Sequence, residues 1–206
     1  MKENLSVHLR RKVAQEAALL LYTGQEKEYK QAKRRAAQSL GAKVFPSNLE
    51  VAEEMDRIAE ENEGPLRRER LIQMRRDALQ IMGTLKDFYP KLIGSVWRGT
   101  AHRNSDVDID TFSSTPENVL AKLRENRFQV EGTEWRSVTK WGKAESSFHI
   151  HLTLPLGNEA EIVVRSPENR NRLRKCEIYG DLMVGLNVSQ LKKVLKENPL
   201  KRFVPK

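Results

Sequence analysis

Between residues 6 and 88 the apolar positions recur every three or four residues, the spacing of one helix face. Leu9, Val13, Ala17, Leu20 and Leu21 form the first stripe, which predicts a helix over 6–23 with Ser6 as N-cap and Gly24 as its stop. A second helix is expected over 25–40, with Tyr29, Ala32, Ala36 and Leu40 on one face and Lys30, Lys33, Arg34 and Arg35 on the other. Ser47 and Glu50 fit a capping box for a third helix over 48–62, with Val51, Met55, Ile58 and Ala59 inward. Gly64-Pro65 separates it from a fourth over 66–88, whose stripe is Leu71, Met74, Ala78, Leu79, Met82 and Leu85. Four amphipathic helices joined by short turns predict a bundle over 1–89.

After Pro90 the period shifts to two. Leu92-Ile93 reads as a buried strand, broken by Gly94-Ser95. Val107 and Ile109 then alternate with Asp106, Asp108 and Asp110, which puts three carboxylates on one strand face. Ser114 and Glu117 fit a second capping box, opening a helix with Val119, Leu120 and Leu123 inward. Strands are expected at 127–131 and 134–141, the second carrying Trp135 and Trp141 on one face, for core packing or for base stacking. In Phe148–Leu154 the apolar residues face inward, and His149 and His151 face out together. That pair reads as transition-metal ligands, as groups lining a catalytic face, or as exposed polar positions. Leu156-Gly157-Asn158 turns the chain into a strand at 159–165, with Ala160, Ile162 and Val164 inward and Glu159, Glu161 and Arg165 outward. Ser189 is the expected cap of a last helix that turns Leu191, Val194 and Leu195 inward. The fold class is therefore α+β: an N-terminal helical bundle over 1–89, a mixed-sheet core over 90–165, and a short basic C-terminal extension over 166–206 that packs on the core.

Charge sharpens the picture at the C-terminal end. The chain has 206 residues and a net charge of +9, and residues 166–206 hold ten of its 37 basic residues against four of its 28 acidic ones. The run Arg170, Arg172, Arg174 and Lys175 is a candidate contact for a polyanion, RNA first, against the plainer reading of a solvated tail. The one cysteine, Cys176, excludes a disulfide within the chain and fits a reducing cytoplasm. Leu19-Leu20-Leu21 is too short to span a membrane, and no membrane partner is expected.

The Gly94–Asp110 stretch carries the chemistry. A glycine turn brings backbone N–H groups close to a phosphate. Arg98 offers a planar cation suited to phosphate oxygens. Like charges on one strand face repel, which calls for a cation. Hard oxygen ligands with no neighbouring cysteine point to Mg²⁺ or Mn²⁺. An anion cradle beside a divalent-metal site suits nucleoside triphosphate chemistry.

Gly94-Ser95, Arg98-Gly99-Thr100 and Ser105-Asp106-Val107-Asp108 together resemble the signature of the DNA polymerase β-type nucleotidyltransferase superfamily. Within it the stretch resembles the minimal nucleotidyltransferases and, more loosely, archaeal CCA-adding enzymes. The whole chain is similar to archaeal predicted nucleotidyltransferases with a helical segment before the catalytic core. The resemblance implies a nucleotidyltransferase-fold sheet over 90–165. It implies that Gly94 and Ser95 hold an NTP's triphosphate, with Arg98, Gly99, Thr100 and Ser105 in the nucleotide-binding set. Asp106 and Asp108 are the implied metal ligands, and Glu161, in Ala160-Glu161-Ile162-Val163-Val164, the third catalytic carboxylate and metal ligand. The implied reaction moves a nucleoside monophosphate from an NTP to a hydroxyl, with RNA bearing a tRNA-like end as the favoured acceptor. AMP transfer to a protein hydroxyl, as in antitoxin-type relatives, and a non-catalytic RNA- or nucleotide-binding module are the alternatives. The bundle is then a scaffold, a substrate platform or a homodimer surface. Its one histidine, His8, has no arginine before it, which speaks against a helical ribonuclease.

Overall fold

The structure, a computed structural model, describes residues 2–140 and 143–205. The helical periodicity is realised as α1 (Lys2–Tyr22), α2 (Tyr29–Ser39), α3 (Asn48–Glu63) and α4 (Pro65–Thr84). The capping box at Ser47 and Glu50 is present in full. The apolar side chains divide differently from the sequence boundary. Val13, Ala17, Leu21, Ala32, Ala36, Val51 and Ile58 close a small core between α1, α2 and α3. The α4 residues Leu71, Met74, Ala78, Ile81 and Met82 belong instead to the core under the sheet.

The sheet is built from β1 (Lys91–Leu92), β2 (Val107–Phe112), β3 (Gln129–Lys140), β4 (Lys143–Thr153) and β5 (Glu159–Arg165). Its order is β1-β2-β5-β4-β3, with β2 and β5 parallel and the other pairs antiparallel. The two strands expected at 127–141 are one strand, β3, with a register shift between Val130 and Gly132. Trp141 lies outside the described residues. Between α4 and β2 runs a one-turn helix, α5 (Gly94–Arg98). After β2 comes α6 (Pro116–Glu125), whose N-cap is Thr115 with no side-chain cap, so the box expected at Ser114 does not form. Ser113 takes the turn instead, its hydroxyl accepting from the Thr115 N–H. The chain closes with a small hairpin, β6 (Arg174–Lys175) and β7 (Leu182–Met183), and with α7 (Val188–Glu197). Asn187, not Ser189, caps α7, pairing with Gln190 in a capping box.

Helices α4, α6 and α7 cover one face of the sheet with Ile109, Ile150 and Ile162 beneath them. The period of two sends their strand neighbours Asp108, Glu161, His149 and His151 to the opposite face. Trp135 pairs with Phe148 on the helix-covered side, where the rings sit 5.2 Å apart. The register thus separates Trp135 from the carboxylates, so base stacking beside them is not available to it.

Candidate active site

Parallel pairing of β2 with β5 sets Asp108 opposite Glu161, and antiparallel pairing of β5 with β4 sets Glu161 opposite His151. Residues far apart in sequence thereby form one polar row across three strands. The end of β1 completes it. The Ile93 N–H donates to the Asp108 carbonyl at 2.9 Å, which lays the following Gly94 against the Asp108 side chain. Gly94 has φ of +69°, and a Cβ there would stand 1.9 Å from Asp108 Oδ2. Only glycine meets both demands. The turn and the carboxylate are two parts of one closely packed unit.

The loop from Ser95 to Asp106 is held by its own bonds and by buried arginines of α4. The Thr100 N–H donates to the Ser95 carbonyl at 3.0 Å, with Gly99 left-handed between them. A Cβ at Gly99 would approach the Lys201 carbonyl to 3.0 Å. Ser105 closes the next turn, its hydroxyl accepting from the His102 N–H at 3.0 Å. Arg67 donates to the carbonyls of Thr100 and Ala101 at 3.1 and 2.8 Å. Arg75, fully buried, donates to the carbonyls of Val96, Trp97, Pro199 and Lys201. Burial lowers its guanidinium to about 10, which leaves it cationic at neutral pH. Sequence reasoning passed over both arginines. Their signal was spacing: 67 and 75 fall in step with Leu71 and Ala78 on the inner face of α4.

Arg98 is not a phosphate ligand in this arrangement. Its guanidinium is buried and pairs bidentately with Asp181 at 2.6 and 2.8 Å, with a further bond to the Phe203 carbonyl. The rings of Trp97 and Tyr179 lie 4.2 and 4.6 Å from it. A cation so enclosed ties the C-terminal segment to α5. Nor are the three arginines of the basic run free. Arg174 joins Arg165 on Asp110, Arg172 pairs with Glu145, and Arg170 lies over the Tyr89 ring. Asp110 is thus a buried carboxylate already paired with Arg165 and Arg174.

Asp106, Asp108 and Glu161 do come together. Burial raises Asp108 well above the usual carboxylate range, and Asp106, Glu161 and Asp110 push it the same way. Asp106 is raised as well, first by burial, with Glu161 and Glu159 adding to it. Glu161 is differently placed. Its Oε1 meets His149 Nδ1 at 2.8 Å and an Arg136 guanidinium nitrogen at 3.1 Å. The other ring nitrogen of His149 bonds the Ser147 hydroxyl at 2.8 Å, both residues being buried. His151 turns to Glu134 at 3.1 Å.

Among the described residues no three carboxylate, imidazole or thiol groups form a ready-made metal cage. The donor chemistry nevertheless fits a hard divalent cation: two half-buried carboxylates two residues apart, with a third in register beside them. No helix among the described residues is long and apolar enough to cross a membrane.

No family model matches the chain, and no curated protein matches it. Solved structures do. One that gives the structural basis for the activity of a cytoplasmic RNA terminal U-transferase is 18% identical, covering 47% of this chain and 29% of its own, at a TM-score of 0.34. Cid1, described by its RNA terminal uridylyl transferase activity, is 15% identical over 47% of this chain and 30% of its own, at a TM-score of 0.34. Cid1 with its short product ApU is 21% identical over 50% and 32%, at 0.32. The chain spans about three-tenths of the length of these proteins.

Proposed function

We propose that the chain is a nucleotidyltransferase that moves a nucleoside monophosphate from an NTP to a hydroxyl acceptor. The observation that carries the reading is the register of Asp108 with Glu161 beside a glycine turn packed on Asp108. Asp106, Asp108 and Glu161 would hold Mg²⁺ or Mn²⁺. When bound, the cation supplies Lewis-acid polarisation of phosphoryl oxygens and acidifies the acceptor hydroxyl. Gly94 and Ser95 receive the β- and γ-phosphates. The acceptor oxygen bonds to the α-phosphorus and the bond to the β-phosphate's bridging oxygen breaks. Pyrophosphate leaves with that electron pair, and Glu161, oriented by His149, takes the hydroxyl proton. RNA is the favoured acceptor on the net charge of +9.

The test is a transfer assay with each α-labelled NTP, Mg²⁺ or Mn²⁺, and total RNA together with total protein. Label on a discrete RNA band, absent with Asp108→Asn, supports the reading. Label on protein moves the acceptor to a protein hydroxyl. No label anywhere, with NTP still bound, sinks transfer and leaves a binding module.

A further inference from the structure

A cavity of about 170 Å³ opens beside the Gly94-Ser95 turn. Its walls include Tyr29 of α2 and Met55 of α3, Cys176 and Tyr179 of the turn between β6 and β7, and Gly94 and Ser95 themselves. Pockets for drug-sized ligands run to about 300–1,000 Å³, so a whole nucleotide does not fit here, but one planar ring system does. The charges at its edge are already satisfied. Arg98 is locked on Asp181, and Asp56 pairs with Arg67 and Arg202. An anion therefore finds no free cation among these residues. Burial raises both Tyr29 and Tyr179, which keeps their hydroxyls neutral. The rings of Tyr29 and Tyr179, the latter with Arg98 over one face, and the Met55 thioether line a wall suited to an uncharged aromatic group. Gly94 belongs to the cavity wall and also packs on Asp108, so the cavity adjoins the carboxylate site.

We propose that this cavity takes the nucleobase of the NTP whose triphosphate lies at the Gly94-Ser95 turn, an inference that rests on the function proposed above. The N-terminal helices and the 176–183 segment would then be the base-recognition wall of the site.

Cys176 provides a built-in probe, being the one cysteine of the chain and part of that wall. Binding of ATP and of inorganic tripolyphosphate is measured by calorimetry, and alkylation of Cys176 by a maleimide is followed with each at saturation. ATP is expected to slow alkylation roughly tenfold, and tripolyphosphate to leave it unchanged. Met55→Trp, which fills the cavity, is expected to weaken ATP roughly tenfold or more. It should leave tripolyphosphate affinity intact, which also shows that the variant is folded. If ATP binds and is displaced by tripolyphosphate while Cys176 reacts at its free rate, the base lies elsewhere and the inference is overturned, with the triphosphate site still standing. Wild-type ATP affinity in Met55→Trp would overturn it equally. If neither ligand binds the wild-type chain, the proposed function fails and the inference falls with it.

Discussion

Burial and three neighbouring carboxylates raise Asp108, so the folded chain holds that proton more tightly than the unfolded chain does. From the ordinary carboxylate value of about 4 up to the raised value, the folded state binds the extra proton, and stability falls as pH rises through that window. The cation-free protein should therefore melt lower as the pH climbs from about 4 through the window, and Mg²⁺ or Mn²⁺ should restore what is lost. Asp108→Asn should abolish transfer yet raise the neutral-pH melting temperature of the cation-free protein. Relief of like-charge contacts on the order of 1 kcal/mol corresponds to about 2–4 °C for a chain of this size. Melting curves of both proteins across pH, with and without cation, decide it, and a variant that melts below wild type would sink the charge-repulsion account. Glu161 depends on a different residue. His149, fixed by Ser147, holds its Oε1 at 2.8 Å. Ser147, His149 and Glu161 follow the order of a nucleophile triad. Ser147, however, lies buried in the antiparallel ladder between β3 and β4. Positioning of Glu161 is the role that fits. His149→Ala should lower both Mn²⁺ affinity and transfer rate by about 10–100-fold, and His149→Asn, whose amide nitrogen replaces Nδ1, should recover part of both. Mn²⁺ binding followed by electron paramagnetic resonance tests this, and unchanged affinity in His149→Ala would refute it.

The β1–α5–β2 unit shows which features can be read from sequence and which cannot. The alternation of Asp106, Val107, Asp108 and Ile109 is legible because a half-buried strand needs period two, and Glu161 is legible for the same reason. The Gly94-Ser95 break is legible because the residue types are so restrictive. The pairing of Arg98 is not legible because its partner, Asp181, lies 83 residues away, and no local pattern distinguishes a buried ion pair from a phosphate clamp. The caps at Ser114 and Ser189 were misplaced because several polar residues cluster before each helix, and the backbone path selects among them. Within this unit, Gly94→Ala must place a methyl where Asp108 Oδ2 now sits and must hold φ at +69°. A stability loss of about 1 kcal/mol from the backbone alone, with transfer reduced about a hundredfold as Asp108 is displaced, is expected from melting and single-turnover measurements. A fully active Gly94→Ala would show that the close contact is dispensable. Arg75→Met should lower the free energy of unfolding, read from denaturant curves, by about 3 kcal/mol, because it strands the buried carbonyls of Val96 and Trp97 and unties those of Pro199 and Lys201.

The two apolar clusters give the whole chain a division of labour that its helix pattern hides. Periodicity treats α1 to α4 alike, since each has one apolar stripe. Burial separates them: Leu71, Met74, Ala78, Ile81 and Met82 of α4 and Leu191 and Val194 of α7 complete the core under the sheet. A chain cut to residues 90–165 would expose the apolar strand face that α4 and α7 cover. A chain of residues 64–206 would keep that core and lose only the cluster of α1, α2 and α3. The two parts meet through polar contacts, among them Arg67 with Asp56, Asn104 with the Tyr22 carbonyl, and Asn48 with the Glu177 carbonyl. Residues 64–206 should therefore give a dispersed NMR spectrum and a single melting transition, and residues 90–165 neither. Cooperative folding of 90–165 would contradict the placement of α4 and α7 in the core. The longer piece also carries a functional expectation. It keeps Gly94, Asp106, Asp108 and Glu161 but loses Tyr29 and Met55 from the cavity wall. It should bind tripolyphosphate as the full chain does and bind ATP no more tightly than tripolyphosphate. Full-strength ATP binding by residues 64–206 would mean that the N-terminal helices add nothing to the nucleotide site.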